Sequence, residues 1–155
     1  MAASTASLWE TIAVEAGRES PLWAAALRPE GEREEQPVFS SLADQRFAVG
    51  LETIYEGYLL HYGRPRLFES GDRDTSVLLG DYLYAHGLVR IGALGDVDAV
   101  GALAELLSLC AHLRADGLPG DGEAWAATVS SLEPEAPQDG EARSRALALH
   151  AARVE

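Results

Sequence analysis

The chain has 155 residues, 47% of them hydrophobic, with 25 acidic residues against 12 basic ones and a formal net charge of -13. That length supports one proper core and is short for two domains, and that charge repels a nucleic-acid backbone or an anionic membrane surface. Every basic residue is an arginine, so Schiff-base chemistry and lysine-to-phosphate contacts are excluded. The single cysteine, Cys110, lies in an apolar run and has no partner for an internal disulfide, which fits a reducing compartment. No stretch reaches the roughly 18 uninterrupted apolar residues of a membrane span, and the N-terminus lacks the pattern of a signal peptide. A cytoplasmic protein without a membrane span and without a nucleic-acid partner is expected.

In chain order, Ser7 is placed to cap a first helix running to about Arg18, with Trp9, Ile12 and Ala16 on one face. Ser20-Pro21 marks a second, short helix start. Residues 28–37 are charged and hold two prolines, the composition of a solvated connection. A helix from about Ser41 to Tyr62 carries Phe47, Leu51, Ile54, Tyr55, Tyr58 and Tyr62 in a narrow stripe. After an aperiodic segment from Gly63 to Arg73, Asp74 to Leu94 is apolar on nearly every side, the pattern of a central buried helix. Gly95-Asp96 breaks the chain before a helix from Val97 to Ala115, which is expected to pack antiparallel on its predecessor. A short helix holding Trp125 and Val129 follows, then a linker-like segment and a C-terminal helix from Glu141. No strand pattern occurs. The expected division is a helical bundle over 1–132, with its core at about 38–116, and a linker plus C-terminal helix over 133–155.

Gly63-Arg64-Pro65-Arg66-Leu67-Phe68, followed at the proper distance by Val77-Leu78-Leu79-Gly80-Asp81-Tyr82-Leu83-Tyr84-Ala85, resembles the trans-polyprenyl diphosphate synthase family over roughly Leu51 to Leu113. The resemblance implies an all-α helical bundle like a truncated isoprenoid synthase fold, about its first half. It also implies that the family's first aspartate-rich motif falls at Glu52-Thr53-Ile54-Tyr55-Glu56, where two glutamates replace the outer aspartates and threonine the middle one. Four apart on a helix, Glu52 and Glu56 project together, about 40° apart and away from the apolar stripe. In that position they are candidate ligands for magnesium, which takes one or two carboxylates plus phosphate oxygens and water. Arg64 and Arg66 are candidate contacts to a prenyl diphosphate. Gly63, Pro65, Gly80 and Asp81 read as structural: Gly80 allows a close approach of helices, and Asp81, inside a buried helix, needs a hydrogen-bonding partner.

Other parts of the family pattern are altered. His61-Tyr62 stands where an arginine pair is expected, and Asp116, Asp121 and Glu123 lie in a Gly/Pro loop and not on a second aspartate-rich helix. His61, His86, His112 and His150 show no zinc-ligand spacing. The tyrosines at 55, 58, 62, 82 and 84 suit either a core or the lining of an apolar channel. The resemblance therefore implies a small, catalytically degenerate subunit, like that of heteromeric hexaprenyl or heptaprenyl diphosphate synthases, packing on a full-length prenyl synthase and influencing product length. The alternatives are a reduced but active magnesium-dependent transferase, joining isopentenyl diphosphate to an allylic diphosphate with Glu52 and Glu56 on the metal, and a helical interaction protein of the same descent with unrelated work. A homo-oligomer or a hetero-oligomer is expected.

Overall fold

The computed structural model describes residues 7–154. They form α1 (Leu8–Glu19), α2 (Pro21–Ala26), α3 (Ala48–Tyr62), α4 (Arg73–Ala93), α5 (Val97–Ala115), α6 (Asp121–Ser131) and α7 (Gly140–Val154), with three single-turn 3-10 segments before α3. No strand occurs among the described residues; an isolated bridge joins Leu27 to Phe68. The molecule is an all-α helical bundle.

Helix starts follow the capping chemistry. The Ser7 hydroxyl accepts from the Glu10 N–H, that of Ser20 from the Leu22 N–H ahead of Pro21, and the Asp96 carboxylate from the Ala99 N–H. The third helix begins at Ala48, seven residues after the expected Ser41. Ser40–Leu42 and Gln45–Phe47 are separate 3-10 turns, because the Asp44 carboxylate accepts from the Arg46 N–H at 2.9 Å and interrupts the run.

The roles expected of α3 and α4 are exchanged. Twelve of the fifteen residues of α3 are buried, Glu52, Thr53 and Glu56 among them, so α3 is the central helix and not a one-sided one. In α4 the residues Leu79, Gly80, Leu83, Gly87 and Ile91 are buried, whereas Leu78 and Val89 are 58% and 68% exposed. The physical reason is a glycine-lined contact between the two helices, which run antiparallel. A methyl group at Gly57 would lie 2.8 Å from the Gly80 carbonyl oxygen, and one at Gly80 would lie 3.1 Å from that of Gly57. Gly87 faces the Gly50 carbonyl in the same way at 3.0 Å. Each pair is spaced by two helical turns, so the backbones touch at both levels. An apolar stripe is therefore not needed on this side of α3: carbonyls and glycines make the contact.

The other side of α3 meets the main core, where Phe39, Tyr55, Tyr58 and Trp125 pack with residues of α5, α6 and α7. A second cluster, with Trp9, Ile12, Leu67, Phe68 and Leu79, seals α1 and the 67–68 segment against α3 and α4. The α4–α5 turn passes through Gly95 at φ 83°, a left-handed conformation that suits glycine. No helix among the described residues is long and apolar enough to cross a membrane.

Gly87→Ala should lower stability by about 1–3 kcal/mol, because the added methyl meets Ile54 Cγ1 at 2.4 Å in a packed contact. Gly101→Ala in α5, which meets nothing within 4 Å, should raise it by about 0.5–1 kcal/mol. Urea unfolding of the two variants should give opposite signs; equal shifts would show that the glycine contact does not set the α3–α4 distance.

Candidate functional site

The two glutamates singled out by the sequence do come together, but around an arginine. Arg66, Glu52 and Glu56 are 0%, 1% and 0% exposed. Arg66 Nη1 donates to Glu52 Oε1 at 2.6 Å and Nε donates to Glu56 Oε1 at 3.0 Å. Glu56 Oε2 accepts the backbone N–H groups of Arg66 and Leu67 at 2.9 and 2.8 Å. Glu52 Oε2 accepts those of Val38 and Ser40, both at 3.3 Å. The guanidinium also donates to the Gln36 and Glu52 carbonyls and lies over the rings of Trp9 and Tyr55, 4.7 and 5.1 Å from their centroids. Burial alone would make Arg66 a weaker base, but the charges of Glu52 and Glu56 outweigh it and raise its pKa.

This arrangement corrects the expected placement of Glu52 and Glu56 on an outward acidic face. A one-residue rise of 1.5 Å and four-residue spacing put both carboxylates on one side of α3, as the sequence implies, yet that side is covered by the 36–40 and 63–68 segments. All four carboxylate oxygens already accept from the protein. A magnesium ion would have to displace Arg66 or four backbone N–H groups, so the residues present do not fit that cation. Thr53, at the middle position, donates its hydroxyl to the Val49 carbonyl at 2.6 Å. Among the described residues no group of three or more His, Cys, Asp or Glu side chains gathers as a cation site.

Arg64 and Arg66, paired in the sequence reading as diphosphate contacts, part company. Arg66 is the buried one. Arg64 is exposed; its guanidinium donates to the Ala152 carbonyl at 3.2 Å, and its backbone N–H donates to the Arg153 carbonyl. It edges a surface hollow of about 320 Å³ that Arg28, Gly63, Pro65 and Ser76 also line. Gly63 ends α3 where a methyl would meet the Arg153 carbonyl at 2.6 Å, and the Pro65 carbonyl accepts from Arg28. Gly80 sits in the close helix contact described above. Asp81 is exposed and not interior; it faces His61 Nε2 at 3.0 Å and so ties α4 to the end of α3.

A second polar cluster escaped the sequence reading. Asp121 is the first residue of α6 and not a loop residue. Its Oδ2 accepts from the Tyr58 hydroxyl at 2.6 Å and from Arg114 Nη2 at 2.6 Å, and lies 3.1 Å from His150 Nε2. His150 Nδ1 lies 2.7 Å from the Tyr55 hydroxyl. Burial works to raise the Asp121 carboxyl, but hydrogen bonds from His150, Tyr58 and Arg114 hold it well below the usual carboxylate range. Burial pushes the Tyr55 and Tyr58 hydroxyls well above the usual tyrosine range. The His150 ring thus bridges the two sides of the cluster, with Nε2 facing Asp121 and Nδ1 facing the Tyr55 hydroxyl. No periodicity could have found this cluster, because its members come from α3, α5, α6 and α7 and span 95 residues.

The remaining candidates have structural surroundings. Tyr55 and Tyr58 stack at 6.2 Å inside the core, and Tyr62 and Tyr84 are half-buried beside His61. His86 pairs with Glu15 of α1, and His112 is exposed near Asp116. The Cys110 thiol is buried and pushed up to about 11, which keeps it protonated and unreactive.

Arg66→Met should cost about 3–5 kcal/mol in chemical denaturation, because two carboxylates remain buried without their cation. Adding Glu52→Gln and Glu56→Gln should recover a large part of that loss; no recovery would mean that packing and not charge fixes Arg66. For Asp121 the lowered folded pKa means that its contribution is fully present above the unfolded value of about 3.9 and disappears as pH falls below it. The stability advantage that the ionised Asp121 carboxylate gives the native chain over Asp121→Asn should thus shrink as pH falls below about 4. Among known proteins, no family model, curated protein or solved structure matches the chain.

Proposed function

We propose that the chain is a non-catalytic small subunit that packs against a full-length trans-polyprenyl diphosphate synthase and biases the length of the prenyl chain made there. The observation that carries this reading is the sequestration of Glu52 and Glu56 by Arg66, with every carboxylate oxygen already hydrogen-bonded. At the positions where the resemblance puts a metal-binding motif, this chain has a structural ion cluster. A transferase that holds its allylic diphosphate through magnesium would need those oxygens.

A partner is favoured by the outward side of α4. Leu78 and Val89 are eleven residues apart, close to three full turns, and so share one side of the helix with Ala85 between them. Val97, at the start of α5, is a further exposed apolar residue, at 80%. Apolar residues gathered on one side are the usual mark of a contact with another chain.

Radiolabelled isopentenyl diphosphate incorporation, with magnesium and allylic primers, separates the readings. The chain alone should be silent, and mixing it with the intact synthase of the same genome should shift product length. Activity of the chain alone that is lost in Glu52→Gln/Glu56→Gln would establish the reduced transferase instead. Silence in both, together with no co-elution, would leave the unrelated interaction protein. Leu78→Asp/Val89→Asp, both exposed, should leave unfolding unchanged and weaken co-elution at least about tenfold, the loss expected when an interface core gains charge.

A further inference from the structure

We propose that α7 is a detachable strap: it leaves the bundle as one unit while the rest of the chain stays folded, and its departure uncovers the aromatic cluster of Phe39, Tyr55 and Trp125. The inference stands on the anchoring of α7 and is independent of any prenyl synthase partner.

Three residues of α7 are buried, Ala146, His150 and Arg153, and two of the three are polar. Partly buried Leu147, Leu149 and Val154 complete its contact with the core. The helix itself thus contributes little fully buried apolar surface to the bundle. Apart from the Tyr55 hydroxyl, which faces His150 Nδ1, its polar anchors fit groups that keep other partners or reach water without it. Asp121 keeps Tyr58 and Arg114 when His150 departs. Arg153 Nη2 meets Glu34, which is 43% exposed and takes up water readily, at 3.0 Å, and Nη1 meets the Arg64 carbonyl at 3.1 Å. Arg153 Nε is buried with no hydrogen-bond partner, a cost of the docked state that undocking removes. Residues 134–140, which lead into α7, are exposed throughout, so the hinge has no buried residue to release.

The surface beneath keeps its own order. Phe39 stacks on Trp125 with centroids 5.5 Å apart, and Tyr55 meets Trp125 edge-on at 5.1 Å. Neither contact involves α7. By contrast, α3 is buried along its length and is held to α4 by reciprocal glycine contacts. The molecule thus has a firm body and one loosely held element.

Amide hydrogen exchange on the full chain at neutral pH tests this. Amides of residues 145–153 should exchange at least about a hundredfold faster than those of residues 54–60 in α3, and their rates should respond little to low urea. Tyr55→Phe leaves His150 Nδ1 without its hydrogen-bond partner and should speed α7 exchange about tenfold with α3 and α4 unchanged. Glu34→Ala, at a half-exposed position that cannot endanger folding, should speed it about threefold. Exchange of α7 at the rate of α3, with both following global unfolding in urea, would overturn the proposal. So would variants that speed all helices together.

Discussion

A guanidinium with no exposed surface has to find its hydration inside the protein, and Arg66 finds it in two carboxylates and two carbonyls. That requirement organises four pieces of chain at once. Glu52 and Glu56 come from α3, the Arg66 and Leu67 N–H groups from the loop that follows it, the Val38 and Ser40 N–H groups from the segment before it, and the Trp9 ring from α1. Two negative charges against one positive leave the cluster with a formal excess of one carboxylate charge, which four backbone N–H dipoles offset. Such a cluster contributes little net stability compared with well-packed apolar residues, but it is intolerant of losing a member. Its effect is to specify how the loops close over α3.

The glycine contact completes the enclosure from the other side. With the α4 backbone resting against Gly50 and Gly57, and the aromatic core against Tyr55 and Tyr58, no direction around α3 faces water. α4 is then left with a free side, and its apolar residues there, Leu78 and Val89, have no counterpart among the described residues. A helix rich in apolar residues on all sides usually signals full burial. Here the intramolecular half of that burial is met by α3 and α5, and the outer half is what supports the reading of a subunit.

The two polar clusters differ in what they hold. Arg66 joins segments close in sequence to α3 and is deep, whereas Asp121 and His150 join helices far apart in sequence and sit near the edge where α7 docks. A tight centre with a polar periphery gives a chain that can exchange one surface element without losing its fold. No residue of either cluster lines the hollow beside Arg64, and the one thiol is buried and protonated.

Helix number, type and most boundaries were legible in the sequence because they depend on local chemistry: Ser7, Ser20-Pro21 and Asp96 at helix starts, and Gly95 at a break, act within a few residues of themselves. The spacing of Glu52 and Glu56 also fixed that they would lie side by side. What the sequence left open was which charge would meet them and which helix would be central. A guanidinium ten residues beyond Glu56 can face solvent, a ligand or those carboxylates, and only the path of the 63–68 loop over α3 decides among them. In the same way a glycine pair in α3 and another in α4 are unremarkable until antiparallel packing sets 50 against 87 and 57 against 80. Periodicity reports how apolar a helix face is, but burial is set by what lies across from it, and that is decided by contacts between residues distant in the chain.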